Sequence, residues 1–199
     1  MSIFVTGTDT NVGKTISSAW LCMHTGASYW KPIQTGKNSD KNVIKKISPR
    51  TTIIPEIYKF KAPLSPYDAA NLENVSMDIG SLGERPEKTV IEGVGGAMVP
   101  LAKNFFLADF IKKYNVPALI VVKSKLGMIN HTLMTVEILK RKKVDILGIV
   151  VNGKIENNLK STIEKFSHVK ILAVIPRSDN LFKTLEYISV PREISWTIK

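Results

Sequence analysis

Short apolar, β-rich runs alternate along this chain with longer stretches whose apolar positions recur at helical spacing. The strand-like runs are Ile3 to Thr6, Ser28 to Lys31, Val90 to Glu92, Ala118 to Lys123, Ile146 to Asn152 and Ile171 to Ile175. The spacing predicts helices near Lys14–Met23, Asp40–Ile47, Ser65–Leu72, Ala108–Tyr114, Ile129–Arg141 and Asn157–Phe166. Strand and helix in regular alternation predict an α/β fold, a doubly wound and mainly parallel sheet with helices on both faces. The stretch from Lys37 to Pro86 is the least regular, broken by Pro49, Pro55, Pro63, Pro66 and Pro86. Such an excursion is expected to decorate the carboxyl-terminal edge of the sheet, where ligands bind. No repeat or linker divides the chain, so residues 1–199 are expected to form a single domain.

Composition narrows the function classes. With 199 residues, 44% of them hydrophobic, the chain suffices for one well-buried domain. No apolar run reaches the ~18 residues of a membrane span, and no basic leader precedes the first strand. The lone Cys22 lies on the apolar face of the first helix, as a small buried hydrophobe would, and suits a reducing cytoplasm. The net charge of +11 would attract anions, but the lysines are scattered from Lys31 to Lys199. The run Lys140-Arg141-Lys142-Lys143 closes a predicted helix, where cations suit the dipole. A solvated basic face is therefore expected rather than a nucleic-acid site, and no membrane partner.

The chemistry begins where the first strand ends. Gly7-Thr8-Asp9-Thr10-Asn11-Val12-Gly13-Lys14-Thr15 matches G-x-x-x-x-G-K-[ST] at every fixed position, between a strand and a helix. Gly7 and Gly13 permit backbone angles and close approach that a Cβ would forbid. The N–H groups between them, Asn11, Val12 and Gly13 included, can turn inward on phosphate oxygens, and the helix start faces the same anion. Lys14 supplies a cation for the terminal phosphates, and the Thr15 hydroxyl can ligate Mg²⁺. The motif predicts a nucleoside triphosphate and a P-loop NTPase type of sheet.

Further polar segments fall at strand ends. Trp30-Lys31-Pro32-Ile33-Gln34-Thr35-Gly36 follows the second strand, then Asn38-Ser39-Asp40; Glu92-Gly93-Val94-Gly95-Gly96 follows the third. Thr15, Asp40 and Glu92 together would give Mg²⁺ three hard oxygen ligands. Taken alone, Asp40 serves equally well as a helix N-cap.

These segments resemble the dethiobiotin synthetase family. The resemblance is carried by Gly7-Thr8-Asp9-Thr10 with Val12-Gly13-Lys14-Thr15, Lys31-Pro32, Asn38-Ser39-Asp40, Ser65-Pro66, Glu92-Gly93 with Gly95-Gly96, Lys125-Leu126-Gly127 with Ile129-Asn130-His131, and Val151-Asn152. It implies an ATP-dependent cyclo-ligase that carboxylates 7,8-diaminononanoate with CO₂. ATP then phosphorylates the carbamate, and the second amine closes the cyclic urea, giving dethiobiotin, ADP and phosphate. The resemblance assigns catalysis to Lys14, Lys31 and Thr10, with Lys31 neutralising the carbamate and the moving phosphoryl group. The nucleotide would be held by Asn11, Val12, Gly13, Lys14 and Thr15, with Asn152 and Pro176 at the base edge. Mg²⁺ would rest on Thr15, Asp40 and Glu92. Thr35, Gly95 and the segment Leu126, Gly127, Met128, Ile129 and Asn130 would hold the diamine, the segment reaching across a homodimer interface into the partner's site.

The chain departs from the family pattern in places. Asn11 stands where an acidic residue is often found, and Thr35 where serine is common. After Asn152 the chain continues Gly153-Lys154-Ile155-Glu156 in place of an Asp and nearby prolines, and little chain follows Pro176 to wall the base. Relaxed base selectivity or weaker nucleotide affinity is therefore expected. His24, His131 and His168 show no metal-ligand spacing and read as structural. The alternative is a switch ATPase of the partition or septum-placement type, but those carry a further lysine near the place of Asp9. An amidotransferase-type cobalamin enzyme would be longer and would need a cysteine–histidine pair that Cys22 does not supply.

Overall fold

Strand β1 (Ile3–Gly7) is buried along its whole length, as the central strand of a two-sided sheet must be. The computed structural model of the protein describes residues 2–37, 39–80 and 87–194. Asn38 and Pro86, named above, lie outside the described residues.

Around β1 runs a seven-stranded sheet with β2 (Ser28–Trp30), β4 (Ile53–Ile54), β6 (Thr89–Gly96), β9 (Ala118–Lys123), β10 (Ile146–Asn152) and β11 (Ile171–Ile175). Its order is β11-β10-β9-β1-β6-β2-β4, and every pairing is parallel. Alternate residues of each strand face opposite sides. Ile3, Val5, Leu119 and Val121 join a core with Trp20, Leu21, Ile44 and Leu185 on one face. Phe4, Ile120 and Val122 pack with Phe110, Val136 and Ile163 on the other. The helices on the first face include α1 (Lys14–Thr25), α2 (Asp40–Ile47) and α7 (Leu181–Tyr187). On the second lie α4 (Leu107–Tyr114), α5 (Met128–Arg141) and α6 (Asn157–Ser167).

All six expected strands and six expected helices are present, shifted by a few residues at their ends. The irregular stretch holds α2, the edge strand β4, the short β5 (Tyr58–Phe60) and α3 (Pro66–Leu72). Strand β3 (Ile33–Thr35) pairs with β5 in a separate two-stranded parallel sheet. A small hairpin, β7 (Pro100–Ala102) and β8 (Phe105–Phe106), precedes α4. Helix α7 also lies outside the periodic readings. It docks through fully buried Leu185, and the Trp20 indole donates to the Ile188 carbonyl at 2.7 Å beside it. Helix α3 starts as its sequence suggests, with Ser65 as N-cap accepting from the Asp68 amide and Pro66 in the first turn.

Part of the basic run that closes α5 is engaged by the protein itself. Lys140 donates to the Ser167 carbonyl at 2.9 Å, and Lys142 pairs with Asp109 at 2.6 Å. The histidines take structural places. His24 meets the Leu185 carbonyl at 2.8 Å, His131 sits in the first turn of α5, and His168 caps α6 in a left-handed conformation.

Candidate active site

The loop from Gly7 to Gly13 turns at the carboxyl end of β1, between the two strands that flank it. Gly13 adopts φ 97°, and a Cβ there would collide with the Asn152 side-chain amide. That amide donates to the Val12 carbonyl at 2.9 Å and the Gly13 carbonyl at 3.3 Å. Asn152 therefore braces the loop from behind. Gly7 has a different reason, since its space is taken by the Val12 side chain. Lys14 is buried, and its ammonium reaches back to the Asp9 carbonyl at 2.9 Å across the loop. Burial pushes its pKa down to about 8, against the pull of Glu92. An arriving polyanion would raise it again.

Glu92, on the third core strand, is almost wholly buried and fully hydrogen-bonded. Its Oε1 accepts from the Thr15 hydroxyl at 2.9 Å and from Lys31 at 3.3 Å. Its Oε2 accepts from the Tyr29 hydroxyl at 3.0 Å. Lys31 also pairs with Asp40 Oδ2. Burial works against the Lys31 ammonium, but Glu92 and then Asp40 outweigh it and hold its pKa above the ordinary lysine value. Burial and the Glu92 charge raise the Tyr29 phenol well above its usual range. Ser39 is the N-cap of α2, so Asp40 is its first helical residue and keeps its carboxylate for Lys31.

These groups line one cavity of about 1030 Å³, with Thr10, Asn11, Gly13, Lys14, Thr15, Lys31, Thr35, Asp40, Glu92 and Gly95 in its wall. Every residue assigned above to catalysis or metal lies there. The oxygen donors of Thr15, Asp40 and Glu92 converge, and the Lys31 ammonium between the carboxylates stands where a cation is stable. The set suits Mg²⁺, a hard ion satisfied by carboxylates, a hydroxyl and phosphate oxygens. Among the described residues no group of three or more His, Cys, Asp and Glu side chains is placed to hold a metal, so an ion here would rest on two carboxylates, the Thr15 hydroxyl and the nucleotide's own oxygens.

A second cavity of about 270 Å³ adjoins the outer side of the loop, lined by Asn11, Val12, Gly13, Asn152 and Pro176 together with Ile16, Lys123, Arg177 and Leu181. Arg177, on the turn into α7, and Leu181, the first residue of that helix, complete this wall and were not anticipated from the sequence. Lys123 was missed as well. Its signal is alternation: it is register partner of Asn152 and follows Leu119 and Val121 on the same face. Tyr29 was missed for the same reason, two residues before Lys31.

Leu126, Gly127, Met128, Ile129 and Asn130 stand apart. They begin α5, with Gly127 as its N-cap at φ 87° and Leu126 fully exposed, and they line neither of the two cavities described above. The neighbouring Lys125 ties this segment to the loop through Asp9 at 3.2 Å. The Thr10 amide, aided by Lys125, holds the Asp9 carboxyl below its ordinary range against slight burial.

Residues 1–184 match a family model described as an AAA domain. In fold, the chain is similar to the cell division ATPase MinD of Pyrococcus furiosus, at 14% identity and TM-score 0.54 over 93% of this chain and 87% of that one. A putative plasmid partition protein of Borrelia burgdorferi bound to AMPPNP gives TM-score 0.55 at 10% identity, over 99% of this chain and 96% of that one. Those likenesses concern the fold alone. Sequence relatives are far nearer. The ATP-dependent dethiobiotin synthetase BioD of Paramagnetospirillum magneticum is 45% identical, covering 87% of this chain and 86% of its own length. The BioD of Lawsonia intracellularis is 40% identical over 98% of this chain and 97% of its own. Identity of that extent over nearly the whole of both chains makes this chain a member of the dethiobiotin synthetase family.

Proposed function

We propose that this protein is a dethiobiotin synthetase, with residues 1–199 working as one ligase domain. It joins CO₂ to 7,8-diaminononanoate at the expense of ATP and closes the cyclic urea through a carbamic-phosphoric anhydride. The observation that carries the reading is the meeting of Lys14, Lys31, Asp40 and Glu92 in one cavity, in a chain 45% identical to a named synthetase.

Phosphoryl transfer asks a protein mainly for positioning and charge neutralisation. Lys14 and the loop amides would cradle the β- and γ-phosphates. Thr15, Asp40 and Glu92 would hold Mg²⁺, which when bound neutralises phosphate charge. Lys31 would turn its ammonium to the carbamate oxygens, and Thr10 and Thr35 would add hydroxyl donors to the same oxyanions. Asn152 would keep the loop in shape and, with Pro176, would wall the base pocket. Lys123 and Arg177 give that pocket donors but no carboxylate, which favours bases bearing carbonyl oxygens alongside adenine. GTP and CTP should therefore support turnover within about tenfold of ATP; strict ATP preference would contradict this.

The segment Leu126 to Asn130, with Gly95, would hold the diamine across a homodimer interface. The full exposure of Leu126, and the segment's absence from the wall of this chain's larger cavity, support that arrangement. Among the described residues no helix is long and apolar enough to cross a membrane, and a cytoplasmic location is proposed with it. Incubation with ATP, the diamine and ¹³C-bicarbonate should yield dethiobiotin with the label in the ureido carbon by mass spectrometry. Unlabelled or absent product would contradict the reading.

A further inference from the structure

The metal-binding oxygens are not idle in this structure. Asp40 is paired with Lys31, and Glu92 accepts from Lys31, Thr15 and Tyr29 at once. The Lys31 side chain is nearly buried, so its ammonium depends on these two carboxylates in place of water. Its pairing geometry puts a positive charge between the two carboxylates that a divalent ion would need. Lys14 lies near enough to feel both Glu92 and Lys31. Two carboxylates therefore face two ammonium groups, and Lys37 in the same wall adds a third cation, so the cavity carries no negative charge with which to draw in a free divalent cation.

We propose that Lys31 is the resident counter-cation of the metal site, and that a divalent ion enters only by displacing its ammonium from Asp40 and Glu92. The triphosphate supplies the negative charge that makes the exchange favourable, so metal and nucleotide load together. The lysine released by the exchange is the one that turns to the oxyanion. Ejection of Lys31 and its recruitment to the reacting group are then one movement of one side chain. The inference rests on the metal assignment given above and on nothing else in the ligase reading.

The test needs neither ATP nor diamine. Mn²⁺ binding is followed by the loss of the free-ion electron paramagnetic resonance signal, for wild type, Lys31→Met, Lys31→Gln and Lys31→Arg. The two neutral variants should bind Mn²⁺ at least about tenfold more tightly than wild type, because a like charge about 4 Å from a divalent ion is gone. Lys31→Arg keeps the charge and should bind as weakly as wild type. Circular dichroism identifies the folded variants, and either neutral variant suffices. A folded neutral variant that binds Mn²⁺ no more tightly than wild type would overturn the proposal. Failure to make dethiobiotin would leave this result unaffected, so the two claims fail separately.

Discussion

The Tyr29 hydroxyl donates to Glu92 Oε2 at 3.0 Å, with both side chains buried. This bond fixes the rotation of the carboxylate so that Oε1 is presented to Thr15 and Lys31. Tyr29→Phe removes it with little change in volume. The variant should lose about 1.5–3 kcal/mol of stability, the cost of a hydrogen bond to a charged group. Its turnover should fall while nucleotide affinity holds, because the loop is untouched. Urea melts and initial rates check the pair; unchanged stability and rate would show that Tyr29 does not orient Glu92.

Gly13→Ala should be far more harmful than its size suggests. The left-handed backbone costs ~1–3 kcal/mol for a residue with a Cβ, and the added methyl meets the Asn152 amide that braces the loop. Nucleotide binding, measured by a fluorescent ATP analogue, should be lost in a protein that remains folded. Asn152→Ala should weaken binding in the same assay, by less, because it loosens the brace without blocking the loop.

Lys14 and Lys31 should separate in kinetics. Lys14→Ala removes a cation from the phosphates and should abolish phosphoryl transfer. Lys31→Ala should lower turnover at least about a hundredfold with nucleotide affinity largely kept. If Lys31→Ala instead loses affinity and keeps turnover, its assignment to the carbamate is wrong.

Cys22 should be inert in the native protein. It is buried on α1, and burial together with the Glu92 charge pushes its thiol pKa up to about 12. At pH 8 roughly one thiol in ten thousand would be ionised, and the thiolate is the reactive form. A disulfide reagent should titrate no thiol under native conditions and one equivalent in denaturant. Native reactivity would mean that the α1 face opens readily.

Much of this was legible in the sequence because it depends on local spacing. The strand–loop–helix placed Lys14 and Thr15, and apolar runs located Asn152 at the end of β10 and Glu92 on the third core strand, which continues past it to Gly96. What escaped reading depends on partners distant in the chain. Strands β3, β4 and β5 are too short to show periodicity, and their pairing across the proline-rich stretch is decided by tertiary contact. Helix α7 carries one anchoring leucine, Leu185, so its docking on α1 left no amphipathic stripe to find. Tyr29 looked like an ordinary strand aromatic until its hydroxyl was seen to meet a carboxylate 63 positions away. The Lys31 pairing with Asp40 and Glu92 was likewise hidden, since each residue had a separate role by resemblance.

The central claim is that this cavity couples ATP cleavage to ring closure on a diamine. Phosphate release from ATP in bicarbonate buffer, with and without 7,8-diaminononanoate, tests it most directly. Release should occur only when the diamine is present, in step with dethiobiotin formed. Steady release without the diamine, unchanged on adding it, would contradict the claim and return the protein to the class of switch ATPases that share its fold.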